Sequence, residues 1–243
     1  MRPLSNSEII QIWERGFSQH PLRQAMILLV AACPEMKAEE LTALTLGQRD
    51  EYLLRLRELT FGSRLNGFVQ CPSCGDRLEL SLNTADIRVS DRSIQPEYFL
   101  DLGEIELRFR LLNSQDLAAI AGDREPLKAR QKLVQRCILQ AKLNGKSIEP
   151  DELPEIAIVA LAQHLAECDP NAEVLLNLTC PGCKHQWQTL FDIATFFISE
   201  IAALSKRLLR EVHTLASAYG WSEADILAMT HPRRQFYLEM VGI

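Results

Sequence analysis

Apolar positions recur at helical spacing through the first 62 residues. Ile9, Ile10, Trp13 and Phe17 form one stripe, behind a start at Ser5 or Asn6. Pro21 suits the first turn of a second helix carrying Leu22, Ala25, Met26 and Leu29. Residues 34–44 predict one short helix, and Thr45 caps another over Leu46–Thr60. In that helix Leu46, Leu53, Leu54 and Leu56 are the apolar positions. Arg49, Asp50, Arg55, Arg57 and Glu58 are the expected wet ones, and Gly62 is the stop. The period then changes: Val69 to Leu82 alternates, which is hairpin behaviour.

Residues 88–97 are polar and predict a surface loop. Glu104–Leu112 alternates again, giving a strand with Ile105, Leu107, Phe109 and Leu111 on one face. Ser114 is placed to cap a short helix through Ala121. A helix over Pro126–Leu143 is expected to end at the Asn144-Gly145 turn, and one over Leu153–Cys168 to close at Asp169-Pro170. The longest helical signal runs from Ile193 to Tyr219, with Phe196, Phe197, Ile201, Leu204, Leu208, Val212 and Leu215 in one stripe. Gly220 breaks it. Ser222 restarts a helix through Met229, and Pro232 begins a last one containing Phe236, Tyr237, Met240 and Val241.

Two stretches read as copies of one another: Phe68-Val-Gln-Cys71-Pro-Ser-Cys74-Gly-Asp and Leu176-Asn-Leu-Thr-Cys180-Pro-Gly-Cys183-Lys-His. Each leads into a second extended run, Leu78–Leu82 or Trp187–Phe191, and then into Asp-Ile, at Asp86-Ile87 and Asp192-Ile193. A CxxC in a hairpin turn aims both sulfurs at one point, so two such knuckles supply the four thiolates of a closed tetrahedral zinc site. The expected ligands are Cys71, Cys74, Cys180 and Cys183, holding one structural zinc per chain. The bland alternative is four reduced, unliganded core thiols. Ribbons usually separate their pairs by about 15–20 residues, whereas 105 residues lie between Cys74 and Cys180. Loop closure costs only the logarithm of length, so a folded insertion is tolerable. His185 either replaces Cys183, sits behind the ligands, or is an exposed hairpin residue.

The expected fold is therefore α+β and mostly α-helical, with helices packed around a split zinc ribbon of two CxxC hairpins plus one or more extra strands. We expect residues 1–243 to form a single compact unit. Its sub-regions are helical 1–62, a first knuckle at 66–87, an insertion of strand and helices at 88–172, a second knuckle at 173–193 and C-terminal helices at 194–243.

Composition narrows the function. A net charge of -6 argues against a general nucleic-acid binder. The apolar run Ala25–Cys33 is far shorter than the about 20 residues of a membrane span. The N-terminus lacks the apolar core of a signal peptide, so a cytoplasmic protein is expected. Seven cysteines, four of them in the knuckles, fit metal thiolates with Cys33, Cys137 and Cys168 as buried thiols better than a disulfide framework.

Enzyme chemistry finds little support. Cys-Pro-x-Cys occurs in thiol oxidoreductases, but that use wants the first cysteine at a helix N-terminus, and here a strand follows. HExxH, GxSxG and P-loop patterns are absent, and the five histidines show no metal-ligand spacing. Asp86 and Asp192 suit helix or turn caps better than a paired-carboxylate site. The basic clusters Lys206-Arg207 with Arg210, and Arg233-Arg234, keep a zinc-ribbon nucleic-acid-binding regulator as the rival reading. They are diluted by Glu211 and Glu223, however, and no aromatics interleave them.

One block remains: Arg207-Leu-Leu-Arg-Glu-Val-His-Thr-Leu-Ala-Ser-Ala-Tyr219-Gly-Trp221-Ser-Glu-Ala-Asp225-Ile-Leu, followed by Arg233-Arg-Gln-Phe-Tyr237-Leu. Together with Leu46-Gly-Gln-Arg-Asp50 and the two CPxC hairpins, it resembles baseplate proteins of contractile phage tails and related contractile injection systems. The nearest named group is the T-even-type baseplate hub assembly chaperone family. The resemblance implies a non-enzymatic role in building the tail baseplate or hub, as chaperone or resident component. Its partners would be hub, spike or baseplate proteins, without a small-molecule substrate. As a docking tip, the block would present Tyr219, Trp221, Ile226, Leu227, Arg233 and Arg234; the alternative is that Tyr219 and Trp221 close the bundle core.

Overall fold

The computed structural model describes residues 1–16, 18–88 and 94–242. Phe17 and part of the expected 88–97 loop lie outside the described residues. Helix α1 (Asn6–Gly16) opens with a reciprocal cap: the Glu8 N–H donates to Ser5 Oγ at 3.3 Å, and the Ser5 N–H donates to the Glu8 carboxylate at 2.9 Å. Helix α2 (Pro21–Ala32) has its proline in the first turn, and α3 (Ala38–Ala43) is the short helix expected there. Helix α4 (Leu46–Phe61) starts in a Thr45/Gln48 capping box and stops at Gly62, whose φ of 87° favours glycine.

Strands β1 (Arg64–Gln70) and β2 (Arg77–Asn83) form the first hairpin, followed by the short helix α5 (Thr84–Ile87). Next come β3 (Tyr98–Asp101), β4 (Ile105–Phe109), α6 (Ser114–Ile120) and α7 (Pro126–Cys137). They are followed by β5 (Ile138–Leu143), β6 (Lys146–Ile148) and α8 (Glu155–Cys168). Strands β7 (Leu175–Thr179) and β8 (Gln186–Leu190) make the second hairpin, and α9 (Ile193–Tyr219), α10 (Glu223–Ala228) and α11 (His231–Val241) complete the chain. The fold is α+β and mostly helical, as the periodicity predicts.

Helix α9 is the axis of the main core. Its 27 residues span about 40 Å, and α1, α2, α4, α10 and α11 all pack on it. Phe197, Ile201, Leu208 and Leu215 from α9 meet Ile9, Leu28, Leu53 and Leu56, all essentially solvent-free. A second hydrophobic cluster belongs to the insertion, where Leu107, Phe109, Cys137, Ala141, Ala157 and Leu161 pack between α7, α8 and the antiparallel sheet of order β3-β4-β5-β6. The four alternating residues Ile105, Leu107, Phe109 and Leu111 are buried, as their spacing requires.

Three expectations are corrected. Residues 138–143 are not the end of a helix but a strand paired with β4 and β6. Asn144 and Gly145 both take positive φ, 51° and 75°, so the dipeptide is a hairpin turn rather than a helix stop. Asn113, not Ser114, caps α6, accepting from the Gln115 and Asp116 amides. Arg49 and Arg57 are buried rather than wet. The Arg57 guanidinium forms a two-pronged pair with Glu200 of α9 at 2.9 and 2.6 Å and donates to the Gly62 carbonyl at 2.6 Å. It thereby ties the end of α4 to α9.

Within the insertion, Asp116 is fully buried and receives Arg110 and Arg136. Burial pushes its carboxyl up, but hydrogen bonds from Arg110, the Asn113 amide and Arg136 outweigh that and hold it below the ordinary range.

The insertion docks on the start of α4. Leu46 N–H donates to the Leu112 carbonyl at 3.0 Å, Thr45 bridges Asn113, and Gly47 N–H donates to Asp169 Oδ2 at 2.9 Å. A Cβ at Gly47 would overlap the Asp169 carboxylate, lying 2.8 Å from its Cγ and 3.0 Å from the Ala172 nitrogen. Gly47→Ala is accordingly expected to cost about 1–3 kcal/mol, read as a lower thermal midpoint. Unaltered stability would show that this contact yields freely.

Candidate metal centre

The two hairpins place their cysteines by the same local device. In the first, Gln70 pairs with Arg77, leaving Cys71–Asp76 as the turn. The Cys71 N–H donates to the Asp76 carbonyl and the Gly75 N–H to the Cys71 carbonyl, each at 2.9 Å. In the second, Thr179 pairs with Gln186. The Cys180 N–H donates to the His185 carbonyl at 2.9 Å and the Lys184 N–H to the Cys180 carbonyl at 3.0 Å. Gly75 and Lys184 occupy the equivalent left-handed position, with φ of 77° and 62°. The duplication read in the sequence is thus a duplication of backbone hydrogen bonding, which fixes the direction of each thiol.

The sulfurs of Cys71, Cys74, Cys180 and Cys183 all lie within 4.8 Å of one another. The contacts across the two hairpins, Cys71 to Cys183 and Cys74 to Cys180, are both 3.6 Å. A tetrahedron with zinc–sulfur bonds of about 2.3 Å has sulfur–sulfur edges of about 3.8 Å, so the cluster has the size of a four-thiolate site. In each pair the first cysteine is buried and the second exposed.

Burial pushes the Cys71 thiol up, but the Cys74 and Ser73 amides outweigh it and bring it down to about 7. Cys74 moves the other way: the Asp76 amide favours its thiolate, yet burial and the neighbouring sulfurs outweigh that and raise it. Sulfurs this close cannot all be ionised without a cation among them. These residues therefore suit a soft divalent metal. All four donors are cysteines, and the set leaves no protein-free position for substrate.

His185 is outside the sulfur cluster and stacks on Trp187 at 5.9 Å between ring centroids. The two recurring aspartates serve helix starts, Asp192 as the cap of α9 and Asp86 as the reciprocal partner of the Asn83 cap of α5. Asp192 accepts from the Thr195 amide at 3.1 Å at the head of α9, and Asp86 accepts from the Asn83 amide at 3.0 Å. The head of α9 also touches both hairpins: Phe196 stands against Phe191, and a Cβ at Gly67 would lie 3.2 Å from the Phe196 ring. The head of α9 and the two hairpins are thus in direct contact.

The docking-tip residues divide. Tyr219 and Trp221 stack at 4.4 Å, and Tyr237 meets Trp221 edge-on at 4.7 Å. Tyr219 and Arg233 are exposed, and Trp221 is partly so. Ile226, Leu227 and Arg234 are buried, so they hold α10 and α11 to the bundle rather than face a partner. Arg234 donates to Glu211 Oε2 at 2.8 Å and to the Met229 carbonyl at 2.5 Å. Sequence reasoning gave no contact role to the exposed Phe236, which meets Tyr237 edge-on at 6.2 Å, or to the exposed Met240 one turn further along α11. Their i, i+4 spacing on the last helix was the available signal.

A family model described as T4 bacteriophage base plate protein matches residues 9–198, more than three quarters of the chain. The match takes in both cysteine hairpins and the insertion between them, and it ends before the 207–227 block. Comparison with curated proteins and with solved structures gave no match.

Proposed function

The chain belongs to the T4 bacteriophage base plate protein family, and on that premise we propose that it is a non-enzymatic assembly chaperone or structural component of the baseplate hub of a contractile phage-tail-like injection system. One structural zinc ion per chain, on Cys71, Cys74, Cys180 and Cys183, holds its two halves together. The observation that carries this reading is the span of the family match, which includes both hairpins whose sulfurs converge. Zinc is favoured among soft metals because four thiolates in a tetrahedron form a closed site without redox demands. The two hydrophobic cores then behave as one unit over 1–243, with the clasp at one end of α9 and the Gly47–Asp169 contact joining the insertion.

The partners are hub, spike or baseplate proteins, met in the cytoplasm where such particles assemble. No helix among the described residues is long and apolar enough to cross a membrane. Contact is assigned to the exposed side of the aromatic tip, Tyr219, Trp221 and Arg233, with Phe236 beside them.

Co-expression with candidate hub, spike and baseplate proteins tests the reading. One of them is expected to co-purify stoichiometrically, and Trp221→Ala to weaken the complex by about 2 kcal/mol or more, the size of an interface hot spot, while the chain stays folded. Failure of every baseplate protein to bind the folded, metal-loaded chain would contradict it.

A further inference from the structure

Helices α1 and α2 form an antiparallel pair: the Gln24 side chain donates to the Gly16 carbonyl at one end, and the Arg2 amide donates to the Ala32 carbonyl at the other. One side of α2, with Ala25, Leu28, Leu29 and Ala32, is buried in the main core. The other side repeats the helical spacing: Arg23, Met26, Ile27 and Val30 line an open groove of about 460 Å³. Helix α1 supplies the opposite wall at the matching positions Glu8, Gln11, Ile12 and Arg15. A helix apolar on both sides is normally covered on both. Here the second side is only partly covered: Met26 and Ile27 are half-buried against the main core, and Val30 is half exposed.

The two ends of the groove differ in charge. At the Arg2 end, Glu8 is neutralised by an ion pair with Arg2. At the Gly16 end, Arg15 and Arg23 are exposed, and neither forms an ion pair among the described residues. The walls run from Glu8 to Arg15 and from Arg23 to Ala31, roughly 10–12 Å, which seats about two turns of a helix.

We propose that the α1/α2 groove docks an amphipathic helix of a partner protein, one that lays an apolar i, i+4, i+7 stripe over Ile12, Met26, Ile27 and Val30 and places carboxylates at the end facing Arg15 and Arg23. This surface is separate from the aromatic tip, and the proposal stands whether or not the tip binds its own partner.

Two synthetic helical peptides of about 18 residues test it on the full, metal-loaded chain. Both carry the same leucine stripe; one has glutamates and the other lysines at one end. By calorimetry or fluorescence anisotropy the acidic peptide binds at least about tenfold more tightly, and Arg15→Glu/Arg23→Glu reverses the preference. Val30→Asp weakens both peptides at least about tenfold, while Trp221→Ala leaves both unchanged. Equal binding of the two peptides, no binding of either, or a charge reversal without effect overturns the proposal. Concentration-dependent self-association abolished by Val30→Asp also overturns it, because the groove would then be covered by a second copy of the chain.

Discussion

Cys180→Ser is expected to release the metal and lower the unfolding midpoint by more than about 10 °C. Structural zinc contributes about 10–16 kcal/mol to the folding of small zinc domains, comparable with the about 5–15 kcal/mol net stability of a whole domain. An isolated two-stranded hairpin is marginal in water. Among the described residues β1-β2 and β7-β8 are each two-stranded sheets, so without a metal neither hairpin has the added support of a third strand or an ion. The head of α9 rests on both, through Phe196 against Gly67 and Phe191, so the loss reaches the main core. At about 2–4 °C per kcal/mol for a chain of this size, half of the zinc contribution already reaches the stated shift.

Strong chelation should reproduce the effect. Acidification should too, since protons compete with zinc for the thiolates and their stabilisation falls away as pH drops. Cys168→Ser, at a half-buried thiol away from the cluster, should keep its metal. A Cys180→Ser chain that melts with the wild type would remove the clasp from the account.

Arg234→Ala is expected to destabilise the chain by about 3 kcal/mol, because it removes the buried partner of the Glu211 carboxylate, which keeps only Arg207 at 3.5 Å and the Gln235 amide at 3.3 Å. Arg234 is 1% exposed and bridges α11 to α9 and to the Met229 carbonyl at the end of α10. Pairing the change with Glu211→Leu should recover much of the loss, since replacing both members of a buried pair by apolar groups is often neutral. Thermal or denaturant unfolding of the single and double variants checks this. Wild-type stability in Arg234→Ala, with partner binding lost, would return this residue to the docking surface from which its burial removes it.

That reversal shows where sequence reading succeeds and where it stops. Thr45, Gly62, Asp192 and Gly220 act through neighbours a few residues away, so the ends of α4 and α9 are legible. The cysteine cluster is legible for a related reason. Each hairpin aims its thiols by local hydrogen bonds, and the duplication says that two such hairpins share a purpose.

Arg57 reads as a solvated charge and Arg234 as a docking-tip residue because their partners are not sequence neighbours; Glu200 is 143 residues from Arg57 and Glu211 is 23 from Arg234. Residues 138–143 carry a helix-compatible pattern and become a strand only through pairing with Ile105–Phe109, a non-local contact that overrides propensity. Strand β3, only four residues long, has too few positions to show a period. The second apolar face of α2 is visible as composition, but only the structure shows which face the bundle leaves open.

The most direct test of the central claim is the metal content of the purified chain, measured by elemental analysis beside titration of its reactive thiols. The account predicts one zinc per chain, with Cys71, Cys74, Cys180 and Cys183 shielded from thiol reagents until a chelator removes the metal. A folded, metal-free chain whose four knuckle thiols react freely would contradict it.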